Sequence, residues 1–204
     1  MGLSLNRICV NLFPTQCRDP GLSQDIESAL QMSSLPAEIL ELEISETFAL
    51  NNDDAIAPLQ ELHNRGIKLA FDDFGTGYAS LSYLTKFPVS RIKIDRSFVA
   101  KVTDDAENAA IVRSLIAMAH NLKLGIIAEG VETAAQARFL LDEQCEEAQG
   151  FLYAKPLSAA EFEAYLRERR LAPHVAHSHQ KQSYSAATRL QRPPARANRK
   201  GPRA

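Results

Sequence analysis

The stretch IKLAFDDFGTG at residues 67–77 joins a short apolar run to two adjacent carboxylates and a glycine-rich loop. Short apolar runs bounded by turn residues are typical of buried β-strands, and residues 78–84 then have a helical pattern. Asp72 and Asp73 come where the strand ends, and two like charges are costly to hold together there unless a cation lies between them. The glycines let the backbone turn sharply and approach a ligand. The stretch therefore predicts a strand that ends at a metal site, with aspartates that only cap a helix or fill a turn as the alternative.

The size and composition of the chain favour one globular domain with an appendage. With 204 residues, of which 45% are hydrophobic, the chain can bury a substantial core. It has no run of about 18 apolar residues and no signal-peptide pattern, so we expect no membrane span. Cys9, Cys17 and Cys145 form no C-x-x-C pair, which predicts reduced cysteines and a cytoplasmic location rather than a disulfide framework or a zinc site.

The formal net charge of −2 hides an uneven distribution. Residues 171–204 contain seven basic residues and no acidic ones, together with prolines and few apolar residues. This composition predicts a disordered basic tail at 171–204 after a folded domain at 1–170. Such a tail could contact nucleic acid or anionic lipid. A solvated terminus is the simpler interpretation, and we expect no DNA partner.

The first 170 residues alternate between strand-like and helical patterns. Short apolar runs occur at 8–12, 39–44, 67–71, 91–94, 124–128 and 147–153, and helical patterns occur at 24–32, 55–64, 106–122, 134–143 and 159–169. Alternating β and α segments predict an α/β fold with a parallel sheet covered by helices. Capping boxes are expected for the pairs Asp104 and Glu107, Thr133 and Gln136, and Ser158 and Glu161.

Polar side chains recur at or just after the carboxyl ends of the predicted strands. In a β/α barrel these ends meet at one face, where catalytic groups gather. A single carboxylate of this kind would usually be a helix cap or a satisfied core residue, but six strands in succession favour a functional site. The residues are Asn11, Glu43, Glu46, Asp72, Asp73, Lys93, Asp95, Glu129, Glu132 and Gln149.

This set is rich in carboxylates and contains amides and one lysine, but neither histidine nor cysteine. Such hard oxygen ligands favour Mg2+ or Mn2+ over zinc. Two ions about 4 Å apart can activate a water molecule and stabilise both oxygens of a phosphoryl displacement. Lys93 could orient that water and balance developing negative charge. The residues alone predict a metal-dependent phosphodiesterase or a related metal-enolate enzyme.

Five segments follow one another along the chain: LEISE at 42–46, DDFGTGY at 72–78, IKIDRSF at 92–98, AEGVET at 128–133 and QGF at 149–151. Together they resemble the EAL-domain family over about residues 5–168. Members of that family are bacterial phosphodiesterases that hydrolyse the second messenger cyclic di-GMP to linear pGpG on a (β/α)8 TIM-type barrel. The resemblance implies the same fold, substrate and pair of Mg2+ or Mn2+ ions for this chain.

The resemblance also implies roles for the polar residues. Lys93 would hold the nucleophilic water, Gln149 would position water or substrate, and Glu46 would brace the loop after Asp73. That loop and its neighbouring helix would form a homodimer contact. The metal ligands would be Asn11, Glu43, Asp72 and Glu129, with Asp73 and Asp95 at the second ion and Glu132 supporting the set.

Structural alternatives stay open for four of these residues. Glu46 and Glu132 could cap the helices that follow them. Asn11 could pair at a strand edge. Asp95 could form an ion pair with Arg96 or Arg91.

One departure from the family pattern bears on activity. The Glu-Ala-Leu tripeptide, whose glutamate ligates metal in the family, occurs nowhere in the chain. We therefore expect a truncated domain that begins just before the family's third strand, forms about six βα units of an incomplete barrel, and has at most trace activity alone. Three interpretations stay open: a fragment of an active phosphodiesterase with an upstream regulatory domain, an inactive module that binds cyclic di-GMP or a protein, and a piece that pairs with a complementary fragment.

Overall fold

The computed structural model describes residues 5–50, 52–77, 81–171 and 188–189. The strands are β1 (Ile8–Asn11), β2 (Leu40–Ser45), β3 (Lys68–Phe74), β4 (Arg91–Ile94), β5 (Gly125–Ala128), β6 (Glu147–Ala148) and β7 (Thr188–Arg189). The helices are α1 (Pro14–Cys17), α2 (Leu22–Ser33), α3 (Glu46–Leu50), α4 (Ile56–Asn64), α5 (Leu81–Lys86), α6 (Arg96–Val99), α7 (Ala106–Asn121), α8 (Ala134–Asp142) and α9 (Ala159–Leu171). Two short 3-10 helices occupy Ala37–Ile39 and Asp53–Ala55.

The strands form one sheet whose order follows the sequence from β1 to β7. Strands β1 to β6 are parallel to their neighbours, whereas β6 and β7 pair antiparallel. Every connection between successive parallel strands contains at least one helix, as a crossover between parallel strands requires. The six parallel strands and their helices form an incomplete β/α barrel, which confirms the predicted fold class.

The apolar core lies between the outer face of the sheet and the helices. Ile44, Phe71, Ile92 and Ile126, on four adjacent strands, are each at most 1% exposed and belong to one cluster with buried residues of the helices. Parallel strands covered in this way are buried on both faces. That burial explains the apolar runs within β3 and β5, whereas β2 and β4 alternate apolar residues with charged residues of the inner face.

Two local predictions are wrong. The cap of α7 is Asp105 rather than Asp104, because α7 begins at Ala106 and the Asp105 carboxylate accepts hydrogen bonds from the amides of Glu107 and Asn108. Strand β6 ends at Ala148 rather than at residue 153. The chain turns after Gly150, which passes so close to Val131 that a β-carbon there would lie 2.2 Å from the Val131 carbonyl oxygen.

Other local predictions have mixed outcomes. Capping boxes form at the pairs Thr133 and Gln136, and Ser158 and Glu161. The helix predicted at 78–84 is α5, which extends to Lys86, and residues 78–80 lie outside the described residues. The tail predicted at 171–204 also lies outside them, apart from Leu171 at the end of α9 and the two residues of β7. Within the described ranges, no helix is long and apolar enough to cross a membrane.

Candidate metal centre

Lys93 lies at the centre of the predicted site. Its ammonium nitrogen Nζ is 2.7 Å from Oε2 of Glu43, 2.8 Å from Oδ1 of Asp72 and 2.7 Å from Oε1 of Glu129. These carboxylates come from β2, from β3 and from the residue after β5, so parallel pairing of four neighbouring strands brings the four side chains together. The Lys93 side chain is only 4% exposed.

The net charge of this cluster is negative and favours a further cation. Burial acts to lower the pKa of Lys93, but Glu129 and the hydrogen bonds to its three carboxylate neighbours outweigh burial and raise that pKa. Burial raises the pKa of Glu129 despite the opposing effect of Lys93. Three carboxylates around one ammonium group carry excess negative charge, which a divalent cation would neutralise.

Asp73 joins the cluster through an irregularity of β3. In a regular strand, successive side chains point to opposite faces. Here the register of β3 against β4 shifts between Phe71 and Phe74, and Asp73 has a φ of 52°. One oxygen from each of Asp72, Asp73 and Glu129 consequently lies within 4.8 Å of the others. This oxygen set fits a hard divalent cation such as Mg2+, Mn2+ or Ca2+.

Asp73 also lies near enough to Asp95 for the two carboxyl groups to affect each other's pKa. Burial, followed by the negative charges of Asp72 and Asp95, raises the pKa of Asp73. Burial acts in the same direction on Asp95, but hydrogen bonds from Ser97 outweigh it and lower the pKa of Asp95. Asp95 is the N-cap of α6 and accepts a hydrogen bond from the Ser97 amide at 2.9 Å. It is therefore both a helix cap and a neighbour of the cluster.

Gln149 and Glu46 contact the site from its edge. The Gln149 side-chain nitrogen donates a 2.6 Å hydrogen bond to Oε1 of Glu129, which orients that carboxylate. Glu46 is the first residue of α3 and is buried, and its Oε2 accepts a 2.8 Å hydrogen bond from the Gly75 amide. Glu46 thus lies against the loop after Asp73, and its bracing role stays a prediction.

The remaining two predicted residues are exposed. Asn11 is exposed at the end of β1, opposite Glu43 in the strand register. Glu132 is exposed, and Thr133 rather than Glu132 caps α8. Glu132 lines a cavity of about 450 Å3 that adjoins the cluster at Glu129 and Gln149. Sequence reasoning missed the other walls of this cavity, which include Arg96, Phe151, Tyr153, Lys155, Phe162 and Tyr165.

Sequence reasoning also missed a second charged group inside the barrel. Arg91 contacts Glu41 and Glu147, at 3.2 Å and 2.7 Å, and Arg7 contacts the same two glutamates. Arg91 therefore does not serve as the partner suggested for Asp95. The available signal was the two-residue spacing that places each of Glu41, Arg91 and Glu147 before a predicted site residue, on the same strand for Glu41 and Arg91.

The family model of the EAL domain matches residues 3–156. The chain belongs to the EAL domain family. Within it, the cyclic di-GMP phosphodiesterase NbdA of Pseudomonas aeruginosa is 40% identical over 165 residues, which cover 80% of this chain and 21% of NbdA. The chain spans about a fifth of the length of the curated relatives it matches, from 20% to 23% for three of them.

Solved EAL structures have the same fold. The PaMucR phosphodiesterase in its c-di-GMP complex superposes with a TM-score of 0.73 at 41% identity, over 76% of this chain and 63% of that one. BlrP1 of Klebsiella pneumoniae, in a manganese and cyclic di-GMP complex, gives a TM-score of 0.69 at 31% identity, over 74% of this chain and 39% of that one.

Proposed function

We propose that this EAL chain carries the metal centre of a phosphodiesterase that hydrolyses cyclic di-GMP to linear pGpG. The observation that carries the proposal is the convergence of Glu43, Asp72 and Glu129 on Lys93 at the carboxyl ends of neighbouring strands. The catalytic groups of β/α barrels gather at this face. The EAL relatives named for cyclic di-GMP hydrolysis support the substrate.

The proposed metal ligands are Asn11, Glu43, Asp72, Asp73, Asp95 and Glu129, and the proposed ions are Mg2+ or Mn2+. Divalent ions, when bound, polarise the phosphate, lower the pKa of an attacking water molecule and neutralise developing charge. The BlrP1 complexes, which contain manganese or calcium, support a divalent ion.

In the proposed reaction, a water oxygen forms a bond to phosphorus and the bond from phosphorus to the ribose 3′ oxygen breaks. The water gives up one proton, and the leaving 3′ oxygen takes up one proton, so that the products are a 5′ phosphate and a 3′ hydroxyl. Lys93 donates hydrogen bonds at the centre of the site and balances the negative charge of the transition state. Gln149 keeps Glu129 oriented through their 2.6 Å hydrogen bond. The cavity of about 450 Å3 beside Glu129 receives part of the dinucleotide.

A second candidate function is binding of cyclic di-GMP without turnover. The absence of Glu-Ala-Leu from the sequence favours it, because the family's tripeptide supplies a metal ligand. Incubation of the purified chain with cyclic di-GMP and Mn2+ or Mg2+, followed by chromatography, tests hydrolysis, and calorimetry tests binding. We expect trace formation of pGpG that Asp72→Asn abolishes. Binding with no pGpG at all would favour the second candidate, and neither binding nor turnover would contradict both.

We further propose a cytoplasmic protein that acts with partners. The free cysteines, two of them buried, support a reducing compartment.

The loop after Asp73, held by Glu46, and its neighbouring helix are the proposed homodimer contact. An upstream regulatory domain would supply the regulatory input, and a complementary fragment would supply the glutamate of the Glu-Ala-Leu tripeptide. Light scattering of the purified chain tests the dimer, and addition of an EAL fragment that contains the tripeptide tests complementation.

A further inference from the structure

Four charged side chains form a closed ring of ion pairs inside the barrel. Arg91 contacts Glu41 at 3.2 Å and Glu147 at 2.7 Å. Arg7 contacts the same two carboxylates, Glu41 at 3.5 Å and Glu147 at 2.8 Å. The four side chains are between 0% and 15% exposed. We call these residues, Arg7, Glu41, Arg91 and Glu147, the ion-pair ring.

The ring lies directly beneath the candidate metal centre. Glu41 precedes Glu43 by two residues on β2, and Arg91 precedes Lys93 by two residues on β4. Glu147 on β6 likewise precedes Gln149 by two. Because side chains two residues apart in a strand point to the same face, Glu41 and Arg91 place the ring one layer below Glu43 and Lys93 in the same interior.

Stability alone does not account for the ring. Replacing a buried ion-pair network by apolar side chains of similar volume is often neutral or stabilising, because desolvation offsets the attraction between the charges. What the network adds is geometry, since each planar guanidinium has donors in a fixed fork. Here each arginine joins Glu41 on β2 to Glu147 on β6, and Arg91 itself lies on β4. A one-residue slip or a rotation of any of these strands would break the contacts.

We propose that the ion-pair ring is a positioning layer for the metal centre. The ring fixes the position of β2, β4 and β6 along the barrel axis and their rotation. It thereby sets the spacing of Glu43, Lys93 and Gln149 in the layer above. Residues that orient metal ligands by direct hydrogen bonds typically contribute 10–100-fold to metal affinity, and we expect the ring, which acts through the strands, to contribute at the lower end of that range. The inference rests on the proposed function, because it assigns the ring a role in that metal centre.

Mn2+ binding by the 204-residue chain, measured by electron paramagnetic resonance of the free ion, tests the proposal. We expect Arg91→Met to weaken Mn2+ binding by at least about tenfold. Arg91→Lys should recover part of the loss, because an ammonium group keeps the charge but lacks the fork. If Arg91→Met does not fold, Arg7→Met removes the other arginine's two contacts at the more exposed side of the ring.

Two control variants separate positioning from stability. Arg65→Met also removes an arginine that joins two glutamates, Glu27 at 2.8 Å and Glu61 at 2.7 Å, but on the protein surface. Leu59→Ala destabilises the core at a fully buried position of α4. Both should bind Mn2+ as the wild type does. Unchanged Mn2+ affinity in Arg91→Met, or an equal loss of affinity in Leu59→Ala, would overturn the proposal.

The same experiment distinguishes failure of the proposed function from failure of the positioning role. If the wild-type chain binds no Mn2+, the metal centre is contradicted, and crystal structures of the wild type and Arg91→Met then decide the positioning role. A displacement of Lys93 relative to Glu43 by more than about 0.5 Å would support it, because functional geometry is held within that tolerance. An unchanged position of Lys93 relative to Glu43 in the two structures would overturn it.

Discussion

The amide of Gly75 lies 2.8 Å from Oε2 of Glu46, so a buried carboxylate at the start of α3 holds the loop that follows the aspartate pair. Glu46 and Gly75 are far apart in sequence, and their contact links the end of β2 to the end of β3. The loop conformation therefore depends in part on an acceptor group outside the loop.

Removal of that acceptor should loosen the loop. Glu46→Ala leaves the Gly75 amide without its partner, which costs about 1–3 kcal/mol when the group stays buried. We expect a lower free energy of unfolding in urea and faster hydrogen exchange at residues 74–77. Glu163→Ala, which removes an exposed helical ion pair, is the control and should change stability by less than about 1 kcal/mol. Unchanged exchange at Gly75 would contradict the bracing role of Glu46.

Loss of the central ammonium group should destabilise the fold. Lys93→Met leaves Glu43, Asp72 and Glu129 close together without their shared cation, and removal of one partner from buried ion pairs costs about 3–5 kcal/mol. Urea unfolding at neutral pH measures the loss. Lys86→Met, at an exposed lysine 3.7 Å from Asp53, is the control. A Lys93→Met protein as stable as the wild type would show that Lys93 does not neutralise the cluster.

The pH dependence of Lys93→Met gives a second test. Burial already holds the pKa of Glu129 above its ordinary value of 4.5, and loss of Lys93 removes the effect that opposes burial. A carboxyl whose pKa is higher in the folded than in the unfolded state loses stability as pH rises through the folded value. The variant should therefore regain stability, relative to the wild type, as pH is lowered toward 4.5. A constant difference from pH 7 to pH 4.5 would argue against this account.

Glu147 should have the opposite dependence. Burial acts to raise its pKa, but Arg7 and Arg91 outweigh burial and lower it below 4.5. Its contribution to stability is present above the unfolded value of about 4.5 and is lost as pH falls through the folded value. Glu147→Gln should therefore lower stability at pH 7 and flatten the decline of stability below pH 4.5. Denaturant unfolding from pH 3 to pH 7 checks this, with Glu163→Gln as the surface control.

Metal should stabilise the chain through the aspartate pair. A ligand that binds only the folded state raises the midpoint of thermal unfolding. We expect Mn2+ to raise this midpoint and a chelator to reverse the rise. Asp73→Asn should weaken the effect while preserving the backbone, because asparagine tolerates the positive φ of this position. Asp19→Asn, on the surface, should respond to Mn2+ as the wild type does. An equal response in Asp73→Asn would exclude Asp73 as a ligand.

The fold was predictable because its signals are local. Buried parallel strands are apolar runs, helices between them have their own periodicity, and polar residues at the carboxyl ends mark one face. The cluster around Lys93 follows from that pattern. The β3 irregularity that brings Asp72 and Asp73 to the same side does not, because it depends on the register between β3 and β4. The early end of β6 depends in the same way on the contact between Gly150 and Val131, which are distant in sequence.

The ion-pair ring was hidden for a related reason. Arg91 and Glu147 are the first residues of their strands, where a charged residue usually marks an exposed end. The curvature of the incomplete barrel turns them inward, toward Glu41 and toward Arg7 from the segment before β1.

The strand order of the sheet has a consequence for how the molecule folds. Pairing from β1 to β6 joins only successive βα units, so it can proceed locally along the chain. The contact between Arg7 and Glu147 instead spans 140 residues of sequence and must overcome a large loop-closure entropy. The ion pair between Arg7 and Glu147 thus links the start of β1 to β6. Partial unfolding that begins at β1 would break the contact between Arg7 and Glu147 first. Water would then reach the ion-pair ring while the helices around the later strands stay packed.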